Sequence, residues 1–321
     1  MARVFVTRQL PGPAVDRLSA VHEVEVWPER LPPSAEEFAA GAADASGLLT
    51  LLTEKVDAAL LEKCPQLRAI ANYAVGYDNI DLAATAARGI PVGNTPDVLT
   101  DATADLTFAL LLAAARKLPD AIDAVRTGDW VTWEPGQYLG PAVFGATLGI
   151  IGFGRIGRAV ARRASGFEMT VMHTGAARHS APGLRAVSGS QSLQTLLERS
   201  DFVSIHCPLT PETYHLIDEA ALARMKPTAI LINTARGPIV DQSALRDALI
   251  GGEIAGAALD VTDPEPLSPE DPLFDAPNLI VAPHIGSATR FAREQMAELA
   301  VDNLLAGLDG KPMPHQVGVP D

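Results

Sequence analysis

Only two cysteines, Cys64 and Cys207, occur among 321 residues. That is too few for a disulfide framework, and the pair lacks the spacing of metal ligands. Cys64 reads as a small buried side chain. Basic residues are also scarce: 25 Lys and Arg stand against 39 Asp and Glu, a formal net charge of −14. No basic tract gathers them, which excludes non-specific nucleic-acid binding, since that needs clustered cations. Long apolar runs are missing too. The longest uninterrupted one, residues 108–115, falls far short of the roughly 20 residues that span a bilayer. Residues 1–7 lack the charged n-region and apolar h-region of a secretory signal. There is no low-complexity segment and no short-period repeat. The expectation is a soluble, cytoplasmic protein with no membrane or nucleic-acid partner and no metal site.

What is present points to an enzyme-sized globular chain, with 47% hydrophobic and 20% charged residues. Its length suits two domains with separate cores. Short apolar or alternating runs predict strands over 3–7, 24–27, 47–50, 67–75 and 91–94. Helices are expected over 13–21, from a capping box of Ser34 and Glu37, over 56–63, and from Asp81 to Arg88, closed by Gly89. That alternation implies a small parallel α/β domain. Thr100 or Asp101 then caps a helix over 102–117, broken at Pro119 and followed by another over 120–127. The first is apolar nearly all round, which places it between domains or against a partner subunit. Residues 128–145 form an aromatic loop with Trp130 and Trp133, two of the three tryptophans; such a loop suggests an interface.

The chain is organised around residues 146–174. The apolar run 148–151 enters Gly152-Phe153-Gly154-Arg155-Ile156-Gly157, followed by a stretch with helical apolar spacing. Strand, glycine turn and helix make the first half of a dinucleotide-binding unit. Gly152 permits a tight turn, Gly154 lets the backbone approach a pyrophosphate, and Gly157 lets the helix lie close to the strand. The helix N-terminus offers N–H groups and partial positive charge to the phosphates. Further strands are expected over 169–173, 202–206, 229–233, 255–259 and 278–282, with helices over 193–199, 219–225, 241–250 and 289–305. Six strands from the glycine unit onward make a doubly wound sheet of Rossmann type.

Ligands of open α/β sheets bind beyond the carboxyl ends of the strands. The polar residues at those positions include Arg236, Glu265 and His284, which converge on one rim beside a nicotinamide. An arginine fork can bind a carboxylate or carbonyl oxygen. A histidine can give and take an alcohol proton, and a carboxylate on its other nitrogen fixes the tautomer. Taken singly, each has a plainer reading: a loop histidine, a surface ion pair, a solvated carboxylate.

Five segments together resemble the D-isomer-specific 2-hydroxyacid dehydrogenases over essentially the whole chain. They are N-Y-A-V-G-Y-D-N-I-D at 72–81, the glycine fingerprint, N-T-A-R-G at 233–237, L-D-V at 259–261 with P-E-P at 264–266, and P-H-I-G-S at 283–287. Within that family, W-V-T-W-E-P at 130–135, N-L-L-A-G at 303–307 and P-M-P at 312–314 are similar to the glyoxylate/hydroxypyruvate reductases. The resemblance implies an α/β fold with two doubly wound parallel sheets. A Rossmann-type cofactor domain, 100–286, is inserted into a flavodoxin-like substrate domain made of 1–99 and 287–321. It implies that Arg236 holds the substrate carboxylate and carbonyl, that Glu265 orients His284, and that His284 is the proton donor in reduction. Backbone N–H groups of Val75 and Gly76 complete carboxylate binding. Ser287 is added to the substrate site, and Trp133 reaches it from the other subunit of a homodimer. The implied cofactor contacts are Thr103, Gly152, Gly154, Arg155, Ile156, Gly157, Thr174, Gly175, Ala176, Arg178, Cys207, Pro208, Thr234, Ala235, Arg236, Asp260, His284 and Gly286. The reaction implied is hydride transfer to a small 2-oxo acid such as glyoxylate or hydroxypyruvate, giving glycolate or D-glycerate.

An NAD-preferring fingerprint carries an acidic residue about 20 positions after the first glycine. Here residues 171–179 read V-M-H-T-G-A-A-R-H, with no carboxylate to repel a 2′-phosphate. NADPH is therefore the expected cofactor, with NADH possible. The related reductases often place an arginine nearer Gly175, where this chain has Ala176 and Ala177, so Arg178 and His179 have to supply the charge. Ala235 also departs from the Ser or Gly often found there. The competing readings are another, NAD-dependent member of the family, such as a lactate, phosphite or formate dehydrogenase, and a non-catalytic nucleotide-sensing corepressor-like dimer. A homocysteine-type hydrolase lacks its further catalytic residues here.

Overall fold

The computed structural model describes residues 1–175 and 187–318 and divides into two compact units. Unit 1 is Met1–Leu99 with Ala288–Asp321, and unit 2 is Thr100–Ser287. Ser287 falls in unit 2, one residue beyond the boundary expected from sequence.

Unit 1 holds five parallel strands: β1 (Arg3–Val6), β2 (Glu23–Val26), β3 (Gly47–Thr50), β4 (Ala69–Asn72) and β5 (Val92–Gly93). Their order, β2-β1-β3-β4-β5, is the flavodoxin-like one. Every residue of β3 and β4 is buried, as expected for inner strands covered on both faces. Helices α1 (Ala14–Ser19), α2 (Ala35–Ala42), α3 (Ala58–Lys63) and α4 (Leu82–Ala87) connect them, and α11 (Arg290–Leu308) packs on β3 and β4. Ser34 and Glu37 form the capping box read from sequence, the Ser34 N–H donating to Glu37 Oε2 at 2.8 Å. Cys64 is fully buried, and burial pushes its thiol pKa up.

Unit 2 begins with α5 (Thr100–Ala115) and α6 (Leu118–Thr127). The helix break falls at Lys117, whose φ of 48° is left-handed, and Pro119 sits in the first turn of α6. A proline there gives up an N–H that has no helical partner anyway, so it starts a helix rather than ending one. The sheet follows as β6 (Thr147–Ile151), β7 (Thr170–Thr174), β8 (Val187–Ser190), β9 (Phe202–Ile205), β10 (Ile230–Asn233), β11 (Gly256–Leu259) and β12 (Leu279–Val281). Helices α7 (Arg155–Ala164), α8 (Leu193–Arg199), α9 (Glu219–Leu222) and α10 (Gln242–Ile250) link them. All pairings are parallel, in the order β12-β11-β10-β9-β6-β7-β8. Among the described residues there are seven strands where six were expected. The extra one, β8, reads V-S-G-S and has neither the apolar run nor the alternation that marks a strand.

The chain leaves β6 for β7 on one side and later returns to β9 on the other. This is the switch in strand order at which a dinucleotide binds in such sheets. Helix α5, expected between domains or against a partner, packs on β10, β11 and α7 of its own unit. Arg163 of α7 holds Asp105 at 2.6 Å and Asp101 at 3.1 Å. Among the described residues no helix is long and apolar enough to cross a membrane, and no cluster of His, Cys, Asp or Glu could hold a metal ion.

Leu111 of α5 is fully buried, whereas Ile250, the last residue of α10, is 52% exposed. Leu111→Ala should cost about 2–5 kcal/mol by leaving a cavity. Ile250→Ala should stay within about 0.5 kcal/mol. Chemical denaturation of the two variants checks the difference; equal losses would contradict the packing of α5.

Candidate active site

Because every strand of unit 2 runs in one direction, the residues that follow the strands line a single edge. Read along the sheet from β12 to β7, that edge carries His284 and Gly286, then Asp260 and Glu265, then Thr234, Ala235 and Arg236. Cys207 and Pro208 come next, then the glycine turn, and finally Thr174 and Gly175. Thr103, on α5, joins this edge: a Cβ built on Gly286 would lie 3.4 Å from its Oγ1. Of the expected cofactor contacts, Ala176 and Arg178, like His179, lie outside the described residues.

The glycine turn has the shape a pyrophosphate requires. Gly152 adopts φ +92°, and a Cβ there would come within 2.5 Å of the Cys207 nitrogen, so only glycine fits between β6 and β9. Gly154 is the N-cap of α7, and a Cβ on it would meet nothing within 4 Å. That open space lies at the start of a helix whose first residues include Arg155, Ile156 and Gly157. Free N–H groups and the helix dipole make such a place attractive to phosphate. The residues present therefore fit a dinucleotide.

At the other end of the edge, His284 Nδ1 lies 3.0 and 3.1 Å from the two Glu265 carboxylate oxygens. His284 has a left-handed φ of 52°, uncommon outside glycine. Three backbone bonds hold it there. The His284 N–H donates to the Asp260 carbonyl at 2.9 Å, and the N–H groups of Ile285 and Gly286 donate to the two Asp260 carboxylate oxygens at 2.7 Å each. Asp260 is 1% exposed. Burial pushes its carboxyl pKa up, opposed by those N–H groups and by His284.

Arg236 follows β10 in a turn whose anchor, Asn233, was read from sequence only as the first residue of the N-T-A-R-G segment. Asn233, fully buried, accepts the Ala235 N–H at 3.0 Å and donates its Nδ2 to the Arg236 carbonyl at 2.8 Å. Arg236 Nη1 donates to the Ala235 carbonyl at 2.8 Å. A Cβ on Gly237 would sit 2.0 Å from the Thr262 carbonyl oxygen, so the Arg236 turn packs directly on the segment that leads to Glu265. The Gln242 amide binds both the N–H and the carbonyl of Asp263 in that segment. An asparagine ending a strand just before a turn was the available signal for Asn233.

The other expected residues are distributed differently. Val75 and Gly76 follow β4 of unit 1 and are half-buried, as is Ser287 at the end of unit 2. Trp133 is 76% exposed and, with Trp130, Val125 and Tyr138, lines a shallow groove beside α6. Burial shifts the titration of three side chains near the glycine turn. Burial pushes the Cys207 thiol to about 11 and the His206 imidazole down to about 3. His206 Nε2 pairs with Ser204 Oγ at 2.8 Å. His173 stacks on Phe153, ring centroids 4.0 Å apart, and burial lowers its pKa as well.

A family model for the NAD-binding domain of D-isomer specific 2-hydroxyacid dehydrogenases matches residues 108–286. The chain is 48% identical to a curated glyoxylate reductase of Korarchaeum cryptofilum, over 98% of this chain and 95% of that one. Among solved structures it is similar to the TT0316 protein of Thermus thermophilus, with a TM-score of 0.91 and 48% identity over 98% of this chain and 100% of that chain. It is also similar to an NADPH-dependent glyoxylate/hydroxypyruvate reductase of Sinorhizobium meliloti in complex with NADP and malonate. There the TM-score is 0.84 and the identity 33%, over 99% and 97% of the two chains.

The neutral His206 has a consequence for stability. Its folded pKa of about 3 lies below the ordinary 6.5, so between those values the unfolded chain binds the extra proton. Stability should therefore fall as pH drops from 6.5 toward 3, while above 6.5 His206 contributes no pH dependence. His206→Asn should flatten the fall measured by urea denaturation between pH 6.5 and 4. An unchanged slope would contradict the burial of the imidazole.

Proposed function

The chain belongs to the D-isomer specific 2-hydroxyacid dehydrogenases, and from that premise we propose that it reduces glyoxylate and hydroxypyruvate to glycolate and D-glycerate, preferring NADPH. The observation that carries this reading is the His284–Glu265 pair, held on the same sheet edge as the glycine turn and the Arg236 turn. When bound, the nicotinamide supplies a hydride to the substrate carbonyl carbon.

The chain's own residues do the rest. Glu265 accepts from Nδ1 of His284, which leaves Nε2 as the nitrogen facing the substrate. Nε2 gives its proton to the carbonyl oxygen as that oxygen gains charge. Arg236 binds the substrate carboxylate and steadies the developing oxyanion. The N–H groups of Val75 and Gly76 bind the carboxylate as well, and Ser287 lines the same substrate site. Each Asp260 oxygen keeps a lone pair beyond its backbone bond, available to the nicotinamide carboxamide.

NADPH preference rests on the end of β7. Thr174 and Gly175 close the strand, and the sequence onward to His179 carries Arg178 and no acid, which suits a 2′-phosphate. The Sinorhizobium meliloti relative is in complex with NADP and with malonate, a small carboxylate. We assign a homodimer to the apolar surface of α6 and the loop after it. Ile122, Val125, Trp130, Val131, Trp133 and Leu139 are each 47% exposed or more there, a patch of the kind that marks an interface. Trp133 would reach the partner's substrate from that loop.

The test is loss of nicotinamide absorbance with glyoxylate or hydroxypyruvate, NADPH and NADH side by side. Turnover should be faster with NADPH, and His284→Ala should cut kcat about 10²–10⁴-fold while cofactor affinity stays. Arg178→Ala should lower the NADPH-over-NADH preference about tenfold, the loss expected for one charge-assisted hydrogen bond. Turnover mainly with NADH would overturn the cofactor preference. Full activity in His284→Ala would overturn the proton donor. No turnover on any 2-oxo acid would favour a nucleotide-sensing protein.

A further inference from the structure

The loop after β4 bears the backbone donors just assigned to the substrate carboxylate, and three of its successive carbonyls are tied down from outside the loop. The Thr95 N–H donates to the Ala74 carbonyl at 2.9 Å. Asn94 Nδ2 donates to the Val75 carbonyl at 2.8 Å. Asn72 Nδ2 donates to the Gly76 carbonyl at 2.8 Å. The peptide bonds here are trans, so each N–H points opposite the carbonyl of its own plane. Anchoring the Ala74 carbonyl therefore aims the Val75 N–H, and anchoring the Val75 carbonyl aims the Gly76 N–H. Thr95 and Asn94 are chain neighbours. Both carbonyls thus turn toward one short segment, and both N–H groups face away from it, side by side, as a carboxylate needs.

The anchors are themselves fixed. The Asn94 carbonyl accepts from Asn303 Nδ2 at 2.8 Å, and Asn303 Oδ1 accepts the His315 N–H at 2.9 Å. Asn72 is fully buried, and its Nδ2 makes a second bond to Asn79 Oδ1 at 3.2 Å. Asn79 spends its own donors on the Leu51 and Glu54 carbonyls, which sets the orientation of both amides. Asn72 Oδ1 is buried and finds no donor among the described residues. An unsatisfied buried acceptor costs stability, so the fold keeps this residue for its donors.

We propose that Asn94 is a positioning residue that aims the Gly76 N–H, with Asn72 holding the next peptide plane through the Gly76 carbonyl, and that it sets affinity for the substrate carboxylate rather than the rate of reduction. The inference rests on the reading of this protein as a 2-oxo acid reductase. Neither residue touches the reacting atoms. Losing an anchor frees a peptide plane to rotate and spoils one donor.

The test compares the parent protein with Asn94→Ala, a half-buried position, and with Asn94→Ser as a milder change; melting temperatures establish that each is folded. Four quantities are read: KM and kcat for glyoxylate, KM for the nicotinamide cofactor, the inhibition constant of oxalate, and reduction of glycolaldehyde, which has no carboxylate. Asn94→Ala should raise the glyoxylate KM and the oxalate constant together by about tenfold, the scale of one charge-assisted hydrogen bond. The glyoxylate kcat, cofactor KM and glycolaldehyde reduction should stay within about twofold, as for a neutral change. Unchanged glyoxylate and oxalate binding would overturn the proposal. So would a fall in glycolaldehyde reduction equal to that for glyoxylate. A parent that reduces glyoxylate while its variants behave alike overturns this inference alone. A parent that neither reduces a 2-oxo acid nor binds oxalate overturns the reading beneath it.

Discussion

The buried Asp260 carboxylate accepts the N–H groups of Ile285 and Gly286 at 2.7 Å each, while its carbonyl accepts that of His284 at 2.9 Å. Those three bonds stabilise a left-handed backbone at His284 that the residue would otherwise avoid. With φ so constrained, the imidazole Nδ1 meets the Glu265 carboxylate. A carboxylate that is 1% exposed is costly unless its oxygens are paired, and here the pairing is the turn itself. Remove Asp260, and the loop loses the reason for its shape along with its anchor.

The same device recurs with amides. Asn233 closes the Arg236 turn by gripping a carbonyl three residues on, and Asn72 closes the loop of Val75 and Gly76 by gripping one four residues on. Each is the last residue of a buried parallel strand. A rigid sheet fixes where the strand ends, and the amide transfers that precision to the first few loop residues. Gln242 does likewise for the Asp263 segment, from the first turn of a helix. Reactive groups on loops are thus positioned by regular structure through single hydrogen bonds.

Much of this was legible in the chain. Two parallel α/β sheets followed from strand and helix alternation, because buried parallel strands are short, apolar and punctuated. The glycine spacing 152, 154, 157 and the positions of Arg236, Glu265 and His284 after successive strands marked the edge where they lie. Other features were opaque for physical reasons. Strand β8 has a sequence without apolar periodicity and depends on its neighbour β7 for pairing. The all-round apolar character of α5 pointed to burial between domains or against a partner, whereas β10, β11 and α7 of its own unit pack on it. The anchoring role of the asparagines was opaque because their partners are backbone carbonyls, whose directions exist only once the turns have formed. Pro119 misled for a similar reason: its effect depends on whether it falls in the first turn of a helix or later.

The proposed reduction assigns hydride transfer and protonation of a 2-oxo acid to the edge from His284 to the glycine turn. The most direct measurement is the product formed from hydroxypyruvate with a nicotinamide deuterated at C4 on the transferring face. The expected product is D-glycerate carrying one deuterium at C2, lost in the Arg236→Ala protein. Glycerate of the L configuration, or D-glycerate without deuterium at C2, would contradict it.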